Sequence, residues 1–198
     1  MSRRRPSLLG IGLRLGAVVA LGAATRDPRA IEVDDRIGAR IVKDRRPELD
    51  VAMPIVTDLG SVYALGGAAA VLALGGGRRS AGRLLVAGGL AWAAAQGLKP
   101  LYRRQRPYEL GSAEKLVRTP AGSSYPSGHP AVAEAMRRIL EPEVSFPARP
   151  IVAGIPKLVA FSRIYNGVHH PSDTLGGLLL GRVAGDLVRR RDPRLHSR

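Results

Sequence analysis

"SSYPSGHPAVAEAMRRIL", Ser123 to Leu140, sets a Pro-Ser-Gly-His cluster directly before a short segment with the composition of a helix. Pro130 suits the first turn of a helix, where a missing N–H costs nothing. Ser127, Gly128 and His129 then fall at the helix N-terminus, where free N–H groups and the helix dipole favour an anion. Gly128 lets the backbone approach that anion closely. The segment also carries Glu134, Arg137 and Arg138, and only about a dozen residues separate Pro130 from Glu141-Pro142. That is too few to cross a bilayer by the roughly 20-residue rule. The expectation is a short helix, tilted and buried among others, with its two arginines at the cytoplasmic boundary.

Outward from this segment the apolar residues gather into long runs. Leu59 to Gly77, "LGSVYALGGAAAVLALGGG", holds no charge, and at 1.5 Å rise per residue it reaches roughly 28 Å, a transmembrane candidate. Arg83 and Lys99 bracket "LLVAGGLAWAAAQGL", which extends at both ends because long basic side chains snorkel. Three further runs carry charge: "LLGIGLRLGAVVALGAAT" contains Arg14, "IVAGIPKLVAF" contains Lys157, and "TLGGLLLGRVAGDLV" contains Arg182 and Asp186. Gly177, Gly181 and Gly185 recur at four-residue spacing, a helix face on which a neighbouring backbone can come close. The fold expected is all-α, a polytopic membrane bundle of about six helices, with the fourth one short, forming a single domain over residues 1–198.

The 198 residues hold 31 Lys+Arg against 16 Asp+Glu, a formal net charge of +15, which calls for an anionic partner. No cysteine is present, so disulfides, thiolate metal sites and cysteine nucleophiles are excluded. Nucleic acid is a poor fit, because the positive charge is divided among helix ends and no basic stripe is interleaved with aromatics. The mean hydropathy of −0.02 is low for a membrane protein, but Gly- and Ala-rich helices score poorly while packing well. Basic clusters at Arg3 to Arg5, at Arg78, Arg79 and Arg83, and in the tail "RRRDPRLHSR" contrast with Arg26 to Asp50, where seven basic residues meet seven acidic ones. By the positive-inside rule both termini are cytoplasmic and the stretch 26–50 is an outside loop. A cleaved export signal is the rival reading of the N-terminus.

On this topology two polar loops lie on the extracytoplasmic side, and their residues form a set. Lys99 precedes Arg106-Pro107, Pro126-Ser127-Gly128-His129 follows, and Ser162-Arg163 leads through five residues to His169 and through three more to Asp173. Three cations, a hydroxyl beside a glycine, two histidines and an acid are what phosphoryl transfer without a metal or other cofactor requires. Lys99, Arg106 and Arg163 would neutralise the non-bridging oxygens. Asp173, four residues after His169, would hold one imidazole nitrogen and leave the other free to attack phosphorus. His129 would protonate the leaving oxygen, with water then hydrolysing a phosphohistidine. His169 and His170 are adjacent and point different ways with no third ligand near, which argues against a metal pair. His170 and His196 are assigned no catalytic role.

"KPLYRRQRP", "PSGH" and "SRIYNGVHHPSD" together match K-x6-R-P, P-S-G-H and S-R-x5-H-x3-D at every defined position across residues 99–173. In this the chain resembles the type 2 phosphatidic acid phosphatase superfamily, which also contains bacterial acid phosphatases and vanadium haloperoxidases. The resemblance implies an all-helical core, a metal-independent histidine phosphatase mechanism and the roles given above for Lys99, Arg106, Ser127, Gly128, His129, Arg163, His169 and Asp173. Membrane members of that family typically have six helices and an extracytoplasmic site. The expected substrate is a lipid phosphate met among membrane lipids, polyprenyl-linked or glycerolipid, with the loop Tyr108 to Tyr125 contributing specificity. An exported soluble acid phosphatase and a catalytically inactive lipid-phosphate-binding membrane protein are the alternatives. A haloperoxidase is disfavoured, since those relatives are much longer.

Overall fold

The helix expected after the Pro-Ser-Gly-His cluster runs from Gly128 to Leu140, with Ser127 at its N-cap and Arg137 and Arg138 in its last turn. In the computed structural model, which describes residues 5–192, it is α6 of eight α-helices, and no strand occurs among the described residues. Arg3, Arg4, the end of the basic tail and His196 lie outside the described residues.

The elements are α1 (Leu8–Ala24), α2 (Pro28–Lys43), α3 (Pro47–Thr57), a short 3-10 turn (Asp58–Gly60), α4 (Val62–Leu74), α5 (Arg78–Tyr102), α6, α7 (Ala148–Tyr165) and α8 (Pro171–Arg190). All-α is as expected, but two helices fall where a loop is expected. Residues 26–50 hold α2 and the start of α3 because the local signals are present. Asp27 caps α2 by accepting from the Arg29 and Ala30 N–H groups, Pro28 and Pro47 each open a helix, and Arg40 and Lys43 complete the basic last turn of α2. Charge balance alone carries no secondary-structure information, so a topology argument reads such a segment as loop.

The uncharged run from Leu59 to Gly77 is not one straight span. Leu59 and Gly60 belong to the 3-10 turn, Ser61 caps α4 through the Ala64 N–H, and the glycines at 75–77 end the helix. α3 with its 3-10 extension meets α4 at a bend of 60°, and α1 meets α2 at 92°. No single helix among the described residues is long and apolar enough to cross a membrane, although these two bent pairs pass that test together. The run bracketed by Arg83 and Lys99 does extend at both ends, into the 25 residues of α5.

α6 lies at the centre, packed chiefly on α8 and α5. Its Ala131, Val132, Ala135 and Ile139 join Leu84, Ala87 and Ala91 of α5 and Ala184 of α8 in the largest apolar cluster. The glycine series of α8 makes this approach possible. A Cβ on Gly177 would stand 2.3 Å from the Ser127 carbonyl oxygen, and one on Gly181 only 2.1 Å from the Ala131 carbonyl oxygen. On Gly185 it would come within 2.5 Å of Arg138 Cβ. Backbone therefore rests against backbone along the seam, and the N-terminal ends of α6 and α8 meet, with the Ser127 N–H donating to the Asp173 carbonyl at 3.0 Å.

Arg14 and Asp186, two of the charges inside the apolar runs, are paired across helices. Asp186 of α8 receives Arg14 of α1 at 3.2 Å and Arg138 of α6. Arg137 is paired with Glu134 and Glu141. Arg137 and Arg138 do end a short helix, yet their side chains are only 10% and 11% exposed and bonded to acids. They are interhelical and intrahelical partners more than boundary markers, because an unpaired charge at that depth would be costly.

Candidate active site

Four segments converge at the α6 and α8 N-termini: the end of α5, the 103–127 loop, the end of α7 and the 166–170 turn. Asp173 occupies the third position of α8 and reaches back to accept the His170 N–H at 2.8 Å, half of a capping box. That contact sets both the helix start and the carboxylate orientation. Its Oδ2 also accepts the Ser124 hydroxyl at 2.5 Å and lies 3.5 Å from His169 Nδ1. Ser124 Oγ in turn stands 3.3 Å from the same Nδ1. The imidazole is thus held at Nδ1 by a serine hydroxyl bridging to the acid, where direct Asp173 contact alone is expected from the i, i+4 spacing.

His169 Nε2 faces Arg106, whose guanidinium nitrogen is 3.1 Å away. Arg106 is fully buried and donates besides to the carbonyls of Val168, Ala121, Gly122 and Ser123. An arginine N–H can only donate, so its partner Nε2 carries the lone pair and the ring proton resides on Nδ1, toward Ser124 and Asp173. Burial holds the His169 pKa well below the ordinary imidazole value; the Asp173 hydrogen bond opposes this and Arg106 and Arg163 reinforce it. The neutral ring, its Nε2 lone pair held by Arg106 until a ligand takes over that guanidinium, is the nucleophilic form.

Lys99, 8% exposed at the end of α5, donates from Nζ to the Ser123 carbonyl at 2.5 Å, while the Ser123 hydroxyl donates to the Lys99 carbonyl at 2.8 Å. Arg163 of α7 is 2% exposed and donates to Thr57 of α3 at 3.0 Å. His129, on the first turn of α6, interacts electrostatically with Arg163, Lys99 and Arg106. Gly60 in the 3-10 turn has no room for a side chain, since a Cβ there would stand 2.5 Å from the His129 carbonyl oxygen. Ser127 Oγ and Arg163 Nε are both buried without a protein hydrogen-bond partner, and buried polar atoms left unpaired are costly unless a ligand meets them. Gly128 opens α6 with no side chain between these groups and the helix amides. A cavity of about 540 Å³ opens beside Lys99, lined by Gln96, Pro100, Gln105, Gly122 and Ser123.

All eight expected residues therefore fall in one region. The loop Tyr108 to Tyr125 folds over it, but its carbonyls 121–123 are tied up in orienting Lys99 and Arg106. Sequence reasoning misses Arg104, Ser124 and Asp34. Arg104 donates to Asp173 Oδ1 at 2.7 Å and to Asp34 of α2 at 2.7 Å. Asp34 also accepts the Ser172 N–H at 2.9 Å. The available signals are weak: Arg104 stands in "KPLYRRQRP" two residues before Arg106, and Ser124 two before Pro126, with nothing local to mark either. Asp34 is 70 residues from its arginine partner. His170, without an assigned catalytic role, pairs through Nδ1 with Asp35 at 3.4 Å. Among the described residues no three His, Asp or Glu side chains converge as a metal site would.

Charge in this region is unbalanced. Arg104 is paired with both Asp173 and Asp34, whereas Lys99, Arg106 and Arg163, around two histidines, have no carboxylate at ion-pair distance among the described residues, an arrangement suited to an anion such as phosphate.

Comparison with known proteins places this geometry. Over 107 residues the chain is 39% identical to a decaprenylphosphoryl-5-phosphoribose phosphatase of Mycobacterium tuberculosis, a match covering 52% of this chain and 58% of that relative. The chain thus spans little more than half the length of that curated relative. A crystal structure described as the first transmembrane PAP2 type phosphatidylglycerolphosphate phosphatase, from Bacillus subtilis, superposes with a TM-score of 0.83 at 26% identity, covering 95% of this chain and 98% of that one. The crystal structure of Aquifex aeolicus LpxE gives a TM-score of 0.71 at 27% identity, over 77% of this chain and 92% of that one. Residues 80–195 match the PAP2 superfamily model, and with α5 to α8 carrying the three motif blocks onto one cation-rich centre, the chain belongs to the PAP2 superfamily.

Proposed function

We propose that this chain is a metal-independent, integral-membrane lipid phosphatase that removes a phosphate or diphosphate head group through a phosphohistidine. The observation that carries the reading is the two-sided hold on His169, with Nδ1 against Ser124 and Asp173 and Nε2 turned to Arg106. In the first step His169 Nε2 attacks phosphorus and the bond to the lipid oxygen breaks, with His129 supplying that oxygen's proton. Burial first, and then Arg163, Lys99 and Arg106, push the His129 pKa down to about 3; a bound phosphate dianion offsets the cations and so moves it toward the protonated ring this step needs. In the second step water attacks the phosphohistidine, His129 takes the water proton, the P–N bond breaks and phosphate leaves. Lys99, Arg106 and Arg163 neutralise the non-bridging oxygens, the Ser127 hydroxyl and the amides at Gly128 and His129 donate to them, and Asp173 steadies the ring.

The membrane reading is supported by an inverted surface. Leu9, Val51, Ile55, Tyr63, Val71 and Leu74 are each two-thirds or more exposed, whereas Lys99, Arg106, Arg163, Asp173 and Asp186 are buried. Water does not stabilise that arrangement, and hydrocarbon does. The one-domain chain then has its phosphate site on the extracytoplasmic side and its termini in the cytoplasm, with α6 too short to span alone. The substrate class follows the relatives: a polyprenyl-linked phosphate or a glycerolipid phosphate, neither of which the motif distinguishes.

The test uses protein purified in detergent. Phosphate release from a lipid phosphate is expected to persist in EDTA, to be inhibited by vanadate and to vanish in His169→Ala. Undiminished turnover in that variant would overturn the mechanism, and a requirement for a divalent metal would overturn the metal-independent reading. A side-by-side panel of polyprenyl and glycerolipid phosphates assigns the lipid.

A further inference from the structure

At the other end of α6 and α8 the molecule holds a second concentration of positive charge. Asp186 lies 13 positions after Asp173 on α8, about 20 Å along the helix. Around it is a cavity of about 610 Å³ whose lining includes Arg14, Arg138, Arg149, Arg182 and Arg189, against only two carboxylates, Glu141 and Asp186. Both acids are already engaged. Asp186 receives Arg14 and Arg138, and Glu141 receives Arg137, which does not line the cavity. Arg182 approaches Glu134 only to 3.8 Å, and its Nε is buried without a hydrogen-bond partner. Arg149, exposed at the start of α7, uses its Nε on the Val144 carbonyl, which orients the remaining guanidinium nitrogens. Arg190 ties the segment before α1 down by donating to the Pro6 carbonyl, so that Pro6 and Ser7 close one wall.

From this geometry we infer a second anion site, distinct from the candidate active site, that takes a phosphate-bearing group between Arg149, Arg182 and Arg189. Guanidinium nitrogens match phosphate oxygens in pairs, and a basic pocket between helices selects phosphate oxygens over neutral head groups. The rim favours a phosphate carried on a lipid. Phe146, 79% exposed, lines the cavity, and Leu8 and Leu9, 64% and 74% exposed, follow directly on its lining residue Ser7, apolar surface suited to acyl chains. A free phosphate ion would use the arginines and leave that apolar surface bare.

The test compares the native chain with Arg149→Gln/Arg182→Gln, which leaves the Arg14–Asp186–Arg138 pairing in place. Equilibrium binding to the detergent-purified protein is measured for short-chain phosphatidylglycerol, short-chain phosphatidylcholine and inorganic phosphate. Anion binding at the candidate active site is common to both proteins, so the difference between them is the readout. Phosphatidylglycerol is expected to bind the double variant at least tenfold more weakly, with phosphatidylcholine unchanged and lipid phosphatase turnover retained. An equal loss for inorganic phosphate would keep the anion site and assign it to the free ion. Arg149→Gln alone, at an exposed position, is expected to give an intermediate loss should the double variant fail to fold. Equal binding of both anions by native and variant chains would overturn the site.

Discussion

The two ends of the α6–α8 pair carry similar charged residues, but around their buried acids they treat them in opposite ways. At the C-terminal end Arg14 and Arg138 share Asp186, and Arg137 sits between Glu134 and Glu141. At the N-terminal end the buried acids are both held, Asp173 by Arg104, Ser124 and the His170 N–H and Asp34 by Arg104 and the Ser172 N–H, leaving Lys99, Arg106 and Arg163 to face two histidines. The difference separates charges that hold helices together from charges kept for a ligand. Paired guanidiniums stabilise the bundle because breaking a buried pair strands its partner. Cations without an acid are tolerable where an anion completes them, and their backbone carbonyl partners, such as those of Arg106, hold them ready without neutralising them.

The sharpest way to break this comparison is to remove the centre of each end. His169→Ala is expected to lower kcat for phosphate release by about 10⁴-fold or more while leaving the fold intact, since it deletes the proposed nucleophile. Asp186→Asn should do the reverse. It leaves Arg14 and Arg138 without their shared acid and lowers stability by about 3–5 kcal/mol, read as a drop in unfolding midpoint, with turnover per folded molecule unchanged. A loss of turnover without a loss of stability in Asp186→Asn would merge the two ends into one functional unit.

Smaller changes sharpen the boundary. Ser124→Ala removes the hydroxyl between His169 and Asp173, and kcat is expected to fall by about 10- to 100-fold with KM little altered. Gly181→Ala forces a Cβ toward the Ala131 carbonyl and should cost about 1–3 kcal/mol. Gly66→Ala, where a Cβ meets nothing within 4 Å, should change stability by less than about 1 kcal/mol. The pH dependence follows from the depressed His169 pKa. Below about pH 6.5 the unfolded chain protonates this ring and the folded chain does not, so stability falls as pH drops through that value. The loss grows as pH falls toward 5 and is absent in His169→Ala, which lacks the titrating group. An unfolding series over pH 5 to 8 on both proteins measures it.

Much of the site is legible before folding because its residues lie in short blocks with fixed spacing. Helix-cap chemistry places Ser127 to Pro130 at a helix mouth, and Asp173 follows His169 by one helical turn. The glycines of α8 announce a close seam by their four-residue period. Helix existence is similarly local, down to the short α6. In residues 26–50 a loop is expected from charge balance and helices stand instead, because a balance of charges is silent about the capping that makes α2 and α3 helical.

By itself, then, the chain's sequence determined what is local: the helix-forming runs, the three motif blocks and the excess of positive charge. Tertiary structure alone decided which charges meet. Ser124 is 49 residues from Asp173, Asp34 is 70 from Arg104, and Arg14 is 172 from Asp186. No spacing rule spans such distances. Which buried cation finds an acid, and which is left for a ligand, follows from how closely the helices pack and from the cost of burying a charge alone.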